Sequence, residues 1–359
     1  KDREAADRLW HQLQASGAPR EWKGRVLEDP AFQVWAFCER LCDESARLAE
    51  SDPAAAEELA ALAVTLAPKI TGEEPLVCGL QEYAWSHLGN ACRARGDLMG
   101  ADEAFRRAQT FFVGAMAGVW PSLLRRQRLA PLTARLLCEQ GKFAEAMEKI
   151  DFALGLASMA ATDGGEGEAV LLLEKGRLLR RFGEAEAAVR ELARGRDVAA
   201  KLSNPHLSLR LGIELGAALC DAGRPAEVKK LLASLRKPAE GLEPEQSRLP
   251  CLEGRMEAGL GRVKQAQAIL ERDPSGFHPR AVPELALLFL ELAAFHVREG
   301  STEELKRLVE TMQPRFAERL GREAAASLKL FCRLAVQDKL TADRARQSAA
   351  DFIRLVAGR

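Results

Sequence analysis

The sequence predicts an all-α solenoid of stacked antiparallel helical hairpins, and three observations carry that prediction. The first is composition: 359 residues, 47% hydrophobic and 29% charged, in which the good helix formers Ala, Leu, Glu and Arg dominate. The second is a recurring turn glycine, at Gly96, Gly141, Gly183, Gly223, Gly261 and Gly300, spaced 45, 42, 40, 38 and 39 residues apart. Each closes one apolar-periodic segment and precedes another, as expected for a left-handed C-cap. The third is positional agreement around those glycines. Seven residues before each stand Gly89, Ala134, Gly176, Gly216, Gly254 and Ala293, all small; nine after stand Phe105, Ile150, Leu192, Leu232, Leu270 and Val309, all apolar. A single hairpin cannot bury such stripes, whereas stacked neighbours bury them together.

Taken in order, residues 1–30 read as an N-terminal helical cap carrying Trp10 and Trp22. Residues 31–320 read as about seven hairpins. The first is imperfect: FQVWAFCERLCDESARLA pairs with DPAAAEELAALAVTLAPKI, in which Asp52 is an N-cap and Pro53 the first helical residue. Residues 321–359 form a closing hairpin, with Thr341 as the N-cap of its second helix, since terminal repeats must end the stack. The linkers 159–168, 201–206, 236–246 and 271–283 are short, the first being the richest in glycine, and none reads as a boundary between unrelated domains.

The stretch AWSHLGNACRARGDLMGADEAFRRA resembles the tetratricopeptide repeat family, with Trp85, Leu88, Gly89, Gly96, Ala101, Phe105 and Ala108 at the family's spacings. Later repeats keep the small residue, the turn glycine and the apolar stripe but not the Trp. The family's repeat is about 34 residues and these are longer, which is similar to the elongated-repeat solenoids that serve as sensor arms in bacterial signal-transduction regulators. The resemblance implies a right-handed superhelix whose first helices line a concave groove.

Composition and motifs argue against other classes. Lys plus Arg (52) balances Asp plus Glu (52), so no global charge points to nucleic acid or membrane. No run of about 18 apolar residues occurs, and the start shows no signal-peptide pattern. The chain begins at Lys1, compatible with processing or with a fragment of a longer protein. Eight cysteines without a C-x-x-C pair read as reduced core thiols of a cytoplasmic protein. Cys38 and Cys42 share a helix face, where buried thiols beneath Trp35 are the simpler reading than a metal pair, and Cys92 lies on the packing stripe. The histidines His11, His87, His206, His278 and His296 stand at no metal-ligand spacing. No H-E-x-x-H, G-x-S-x-G or P-loop occurs, so neither an enzyme nor a metal or other cofactor is expected.

One further stripe stands out, thirteen, six and three residues before each turn glycine. It reads Tyr83, Asn90, Arg93; then Arg128, Arg135, Cys138; then Val170, Arg177, Arg180, with Arg181 beside them; then Arg210, Ala217, Cys220; then Arg248, Arg255, Ala258; and last Leu287, Ala294, Val297. Arginine fills eight of the fifteen positions in the first five repeats, and no acidic residue or lysine appears there. With zero net charge this predicts a basic inner face and an acidic outer one. Pro131 and Pro250 are expected to interrupt their helices, taking Arg128 and Arg248 off the face. The family resemblance implies a peptide groove in which some members hold a C-terminal carboxylate with basic and Asn residues. Asn90 stands where such an Asn would be, without the basic residue expected five before the turn glycine.

Two readings of the arginines stay open: a groove that captures carboxylates or phosphates bidentately, or structural pairs with glutamates of neighbouring hairpins such as Glu174 and Glu253. The function expected is a non-catalytic interaction scaffold or sensor module that binds an acidic peptide or partner protein through Asn90, Arg93, Arg128, Arg135, Arg177, Arg180, Arg181, Arg210 and Arg255. The alternative is the sensor part of a bacterial transcriptional or signalling regulator whose effector domain is missing. Direct nucleic-acid binding ranks lower, because only Tyr83 interleaves with the arginines for stacking.

Overall fold

The computed structural model describes residues 2–15, 19–49, 51–116, 129–160, 165–243, 245–271, 281–316, 320, 322–337 and 339–356. Every regular element among them is helical. The chain divides into two compact units, residues 1–167 and 168–359, the division falling at the end of the glycine-rich linker.

The first unit opens with α1 (Asp2–Gln14) and α2 (Pro19–Glu28), followed by the hairpins α3 (Trp35–Leu48) with α4 (Pro53–Leu66), α5 (Glu74–Arg95) with α6 (Leu98–Met116), and α7 (Leu129–Glu139) with α8 (Phe143–Ala160). Trp10 and Trp22 meet edge to face with centroids 5.5 Å apart, which seats α1 and α2 on each other. Arg3 Nε and Nη2 donate to Glu39 at 2.6 and 3.0 Å, tying α1 to α3. Asp52 caps α4 by accepting from the Ala55 amide at 3.1 Å, with Pro53 in the first turn.

The second unit holds the hairpins α9 (Glu166–Arg181) with α10 (Ala185–Ala199), α11 (Pro205–Asp221) with α12 (Pro225–Leu235), α13 (Glu245–Gly259) with α14 (Val263–Leu270), α15 (Val282–Glu299) with α16 (Thr302–Phe316), and α17 (Arg322–Val336) with α18 (Ala342–Val356). Thr341 Oγ1 accepts from the Arg344 amide at 3.3 Å, capping α18. Pro250 sits inside α13 without ending it. It removes only its own backbone donor, so Arg248 stays on the helix, contrary to the expectation that proline displaces it.

The turn glycines repeat one geometry. Gly183 has φ +79°; its N–H donates to Arg180 O at 3.0 Å and the Glu184 N–H to Leu179 O at 2.9 Å. The six turn glycines all have positive φ, between 68° and 89°, so the recurrence in the sequence marks a backbone requirement. The small residue seven positions earlier marks a packing requirement: a Cβ on Gly176 would lie 2.3 Å from Leu192 Cγ, inside van der Waals contact. Helix α10 packs against α9 through that notch. No helix among the described residues is long and apolar enough to cross a membrane.

Substitutions separate these two requirements from ordinary helical glycine. Gly183→Val, which forces a β-branched residue to positive φ, and Gly176→Ala, which overpacks the notch, should each lower stability by about 1–3 kcal/mol. Gly155→Ala lies on an exposed part of α8 where a Cβ meets nothing within 4 Å, and it should raise stability by about 0.5–1 kcal/mol. Urea melts of the three variants followed by circular dichroism check the order.

A candidate binding face built on an arginine–carboxylate ladder

The first helices of the second unit's hairpins, α9, α11, α13 and α15, are joined by ion pairs that repeat in register. Arginine six residues before one turn glycine reaches the glutamate nine residues before the next: Arg177 Nη2 donates to Glu214 Oε1 at 3.1 Å, and Arg255 Nε to Glu291 Oε1 at 2.9 Å. Arginine three before reaches the acid two before the next: Arg180 Nε donates to Asp221 Oδ2 at 2.7 Å, and in the first unit Arg93 Nη1 donates to Glu139. Arginine thirteen before reaches the glutamate sixteen before the next: Arg248 Nε donates to Glu284 Oε1 at 2.8 Å, and Arg210 faces Glu245 at 4.0 Å. Offsets of one to three residues between adjacent helices correspond to at most about 4.5 Å along the axis, well within the reach of a guanidinium.

Cross-links close the ladder into a network. Glu214 accepts from three arginines: Arg177, Arg180 Nη1 at 2.8 Å and Arg248 Nη2 at 3.0 Å. Asp221 accepts from Arg180 and from Arg255 Nη2 at 2.9 Å. Glu174 accepts from Arg177 within α9. The participants Arg177, Arg180, Arg248, Arg255, Glu174 and Glu214 are all buried. Burial opposes ionisation of Glu214, but Arg177, Arg248 and Arg180 outweigh it and hold the carboxyl well below the usual range. Asp221 is likewise lowered against burial, by Arg180 and Arg255. A network of this kind is net favourable only while every member keeps its partners.

These contacts answer where the expected site residues go. Arg177, Arg180 and Arg255 are buried in the network, with their guanidiniums engaged by carboxylates. Asn90 is buried and accepts from Arg93 Nε at 3.2 Å. Arg135 is half-buried on α7. Arg181 Nε donates to the backbone carbonyl of Arg354 at 3.0 Å. Arg128 lies outside the described residues. The expectation of a purely basic face does not hold in the second unit: Arg177, Arg180, Arg210, Arg248 and Arg255 are matched there by Glu174, Glu214, Asp221, Glu245, Glu284 and Glu291. The acids sit at other offsets than the arginines, so a reading confined to one stripe passes over them.

Arg210 differs from its neighbours. Its side chain is 37% exposed, and its carboxylate contact, Glu245 at 4.0 Å, is too long for a hydrogen bond. Loss of water and the nearby charge of Arg177 push its pKa down to about 10. One turn earlier on α11, His206 is exposed with Nδ1 3.9 Å from the same Glu245. Burial, reinforced by the Cys38 thiol, pushes the Cys42 thiol well up, and among the described residues no three His, Cys, Asp or Glu side chains are grouped to hold a metal.

No family model and no curated protein matches the chain. Solved structures do. The apo form of RapI aligns at 12% identity over 98% of this chain and 97% of that one, with a TM-score of 0.57. A Rap protein complexed with Competence and Sporulation Factor aligns at 14% identity over 89% and 96%, with a TM-score of 0.53. The Rap conjugation gene regulator of the plasmid pLS20, in complex with the Phr* peptide, aligns at 13% identity over 87% and 83%, with a TM-score of 0.51. At these identities the likeness is one of fold: the chain has the all-helical, tetratricopeptide-like repeat fold of the Rap structures.

Glu214 and Asp221 make stability depend on acid pH with a definite sign, opposite to that of Glu291, whose carboxyl burial pushes up. Carboxylates lowered in the folded state, as Glu214 and Asp221 are, stabilise fully above their unfolded values of about 4. That contribution is lost as pH falls through the lowered folded values. Through these two groups the melting temperature should drop below about pH 4. Glu214→Gln, which strands three buried arginines, should cost about 3–5 kcal/mol at pH 7 and flatten the acid limb. Thermal melts of both proteins between pH 2.5 and 7 provide the measurement.

Proposed function

We propose that the chain is a non-catalytic regulatory scaffold that binds a peptide, or a segment of a partner protein, along the ladder face, and that an acidic group of that ligand is received at Arg210. The observation that carries this reading is the contrast within the ladder. Arg177, Arg180, Arg248 and Arg255 each donate to at least one carboxylate at hydrogen-bond distance, whereas Arg210 is partly exposed and donates to no carboxylate at that distance. A ligand carboxylate or phosphate there supplies the hydrogen-bonded partner that Glu245, at 4.0 Å, does not, and charge-assisted, bidentate geometry suits guanidinium. Two structures with this fold are complexes, one with Competence and Sporulation Factor and one with the Phr* peptide, which favours a peptide over other ligand classes.

A nucleic acid fits less well, because four of the five ladder arginines in the second unit already neutralise carboxylates and offer no free positive surface. The reading assigns no reaction to the chain and requires no cofactor. It places the protein in the cytoplasm, where buried free thiols such as Cys38 and Cys42 stay reduced.

The test is a selection from a displayed library of random-sequence peptides on the full chain, followed by fluorescence anisotropy with the synthetic form of the enriched peptide. The expected outcome is enrichment of acidic peptides and a loss of about ten- to a hundredfold in affinity on Arg210→Glu, the worth of about 1.5–3 kcal/mol for a charge-assisted hydrogen bond. Glu103→Lys, on the exposed surface of α6, should bind as the parent does. Equal affinities of parent and Arg210→Glu, with both folded, or failure to enrich any peptide, would overturn the reading.

A further inference from the structure

The stripe that carries arginine in the preceding hairpins changes character in α15. Its members there are Leu287, Ala294 and Val297, all apolar and all in or packed against the second unit's core. The helix that packs on α15 at this end of the unit is α18, while α17 packs on α16. The last hairpin therefore presents its second helix to the first-helix layer. Where earlier first helices send arginines to the next helix, α15 meets α18 through apolar side chains, with Ala345 and Phe352 fully buried and Ala349, Ile353 and Leu355 partly so.

At its far end α18 reaches the first helix of the same unit. Arg181, the last residue of α9, donates Nε to the carbonyl of Arg354 at 3.0 Å across 173 residues of sequence. Arg354 lies in the last turn of α18, where carbonyls lack an intrahelical donor and a cation is favoured by the helix dipole. Phe352 stands two positions before Arg354, a rise of about 3 Å. Helix α18 thus touches α9 at its C-terminal end while it packs along α15.

The closing element is lightly held. Among the residues of α18 whose burial is described, only Ala345 and Phe352 are buried, whereas α15 buries ten of its own. Helices with little buried apolar surface open locally at low free energy.

We propose that α18 is a latch: Phe352 and Ala345 seat it on α15, Arg181 holds its C-terminal end against α9, and its release opens the second unit and uncovers the apolar face of α15. The latch stands independently of any ligand assigned to Arg210.

Hydrogen–deuterium exchange of the full chain, read by mass spectrometry, tests it with three variants. Arg181→Gln removes the charge from the far-end contact and should speed exchange of the α18 amides, and of the last turn of α9, by about tenfold, one lost charge-assisted hydrogen bond. Exchange in α15 and α17 should not change. Phe352→Ala removes the seat and should speed α18 by about a hundredfold or more, again with α15 protected. Arg346→Gln breaks an ion pair with Asp343 that lies wholly within α18 and should leave the parent pattern. Parent-like exchange of α18 in Arg181→Gln would remove Arg181 from the latch. Exchange of α18 rising only in step with α15 in Phe352→Ala would make α18 part of one cooperative core and overturn the proposal.

Discussion

A carboxylate buried in a helical core must be matched by positive charge and hydrogen bonds, or it costs several kcal/mol. Glu214 meets that demand from three directions, accepting from Arg177 and Arg180 on α9 and Arg248 on α13. Those arginines are in turn tied to Glu174, Asp221 and Glu284. The first-helix layer of the second unit can therefore keep this face polar, without an apolar filling, and still be buried. Apolar stacking of second helices against small residues such as Gly176 supplies cohesion, and the ladder determines how one first helix lies beside the next. Exchange of such a network for apolar residues is often neutral or favourable elsewhere, so what it confers here is register.

Much of the fold was legible because it rests on backbone geometry and period. Gly96 and Gly183 announce positive φ, Gly176 announces a notch, and the apolar stripe through Leu192 announces the helix that fills it. Asp52 and Thr341 announce caps, which they form. The division of the chain after Gly167 was less legible, because helical hairpins continue on both sides of it.

The candidate site was legible in half. The arginines were visible as a stripe, since they share one helix face. Their partners were not, because Glu214, Asp221 and Glu284 lie on other offsets and meet the arginines only across helices. The signal was present in a different form: glutamate recurs nine residues before the turn glycine at Glu174, Glu214 and Glu291, and sixteen before at Glu245 and Glu284. Comparing offsets between consecutive repeats, instead of within one, brings donor and acceptor together. Arg248 stays on the helix because Pro250, inside α13, removes a single backbone donor without ending the helix.

The register of the ladder also bears on how such an array can change over generations. In an array of equivalent repeats a unit can be lost or duplicated and the ends still fit. Here the α11–α12 hairpin is not interchangeable with its neighbours. With it removed, Arg177 would face the position of Leu252 instead of Glu214, Arg180 would face that of Gly259 instead of Asp221, and Arg255 would lose one of its two carboxylates. Buried guanidiniums without partners make that deletion far more costly than the loss of packing area alone. Each hairpin from α9–α10 to α13–α14 is in this sense addressed to its successor, so their order is itself inherited information.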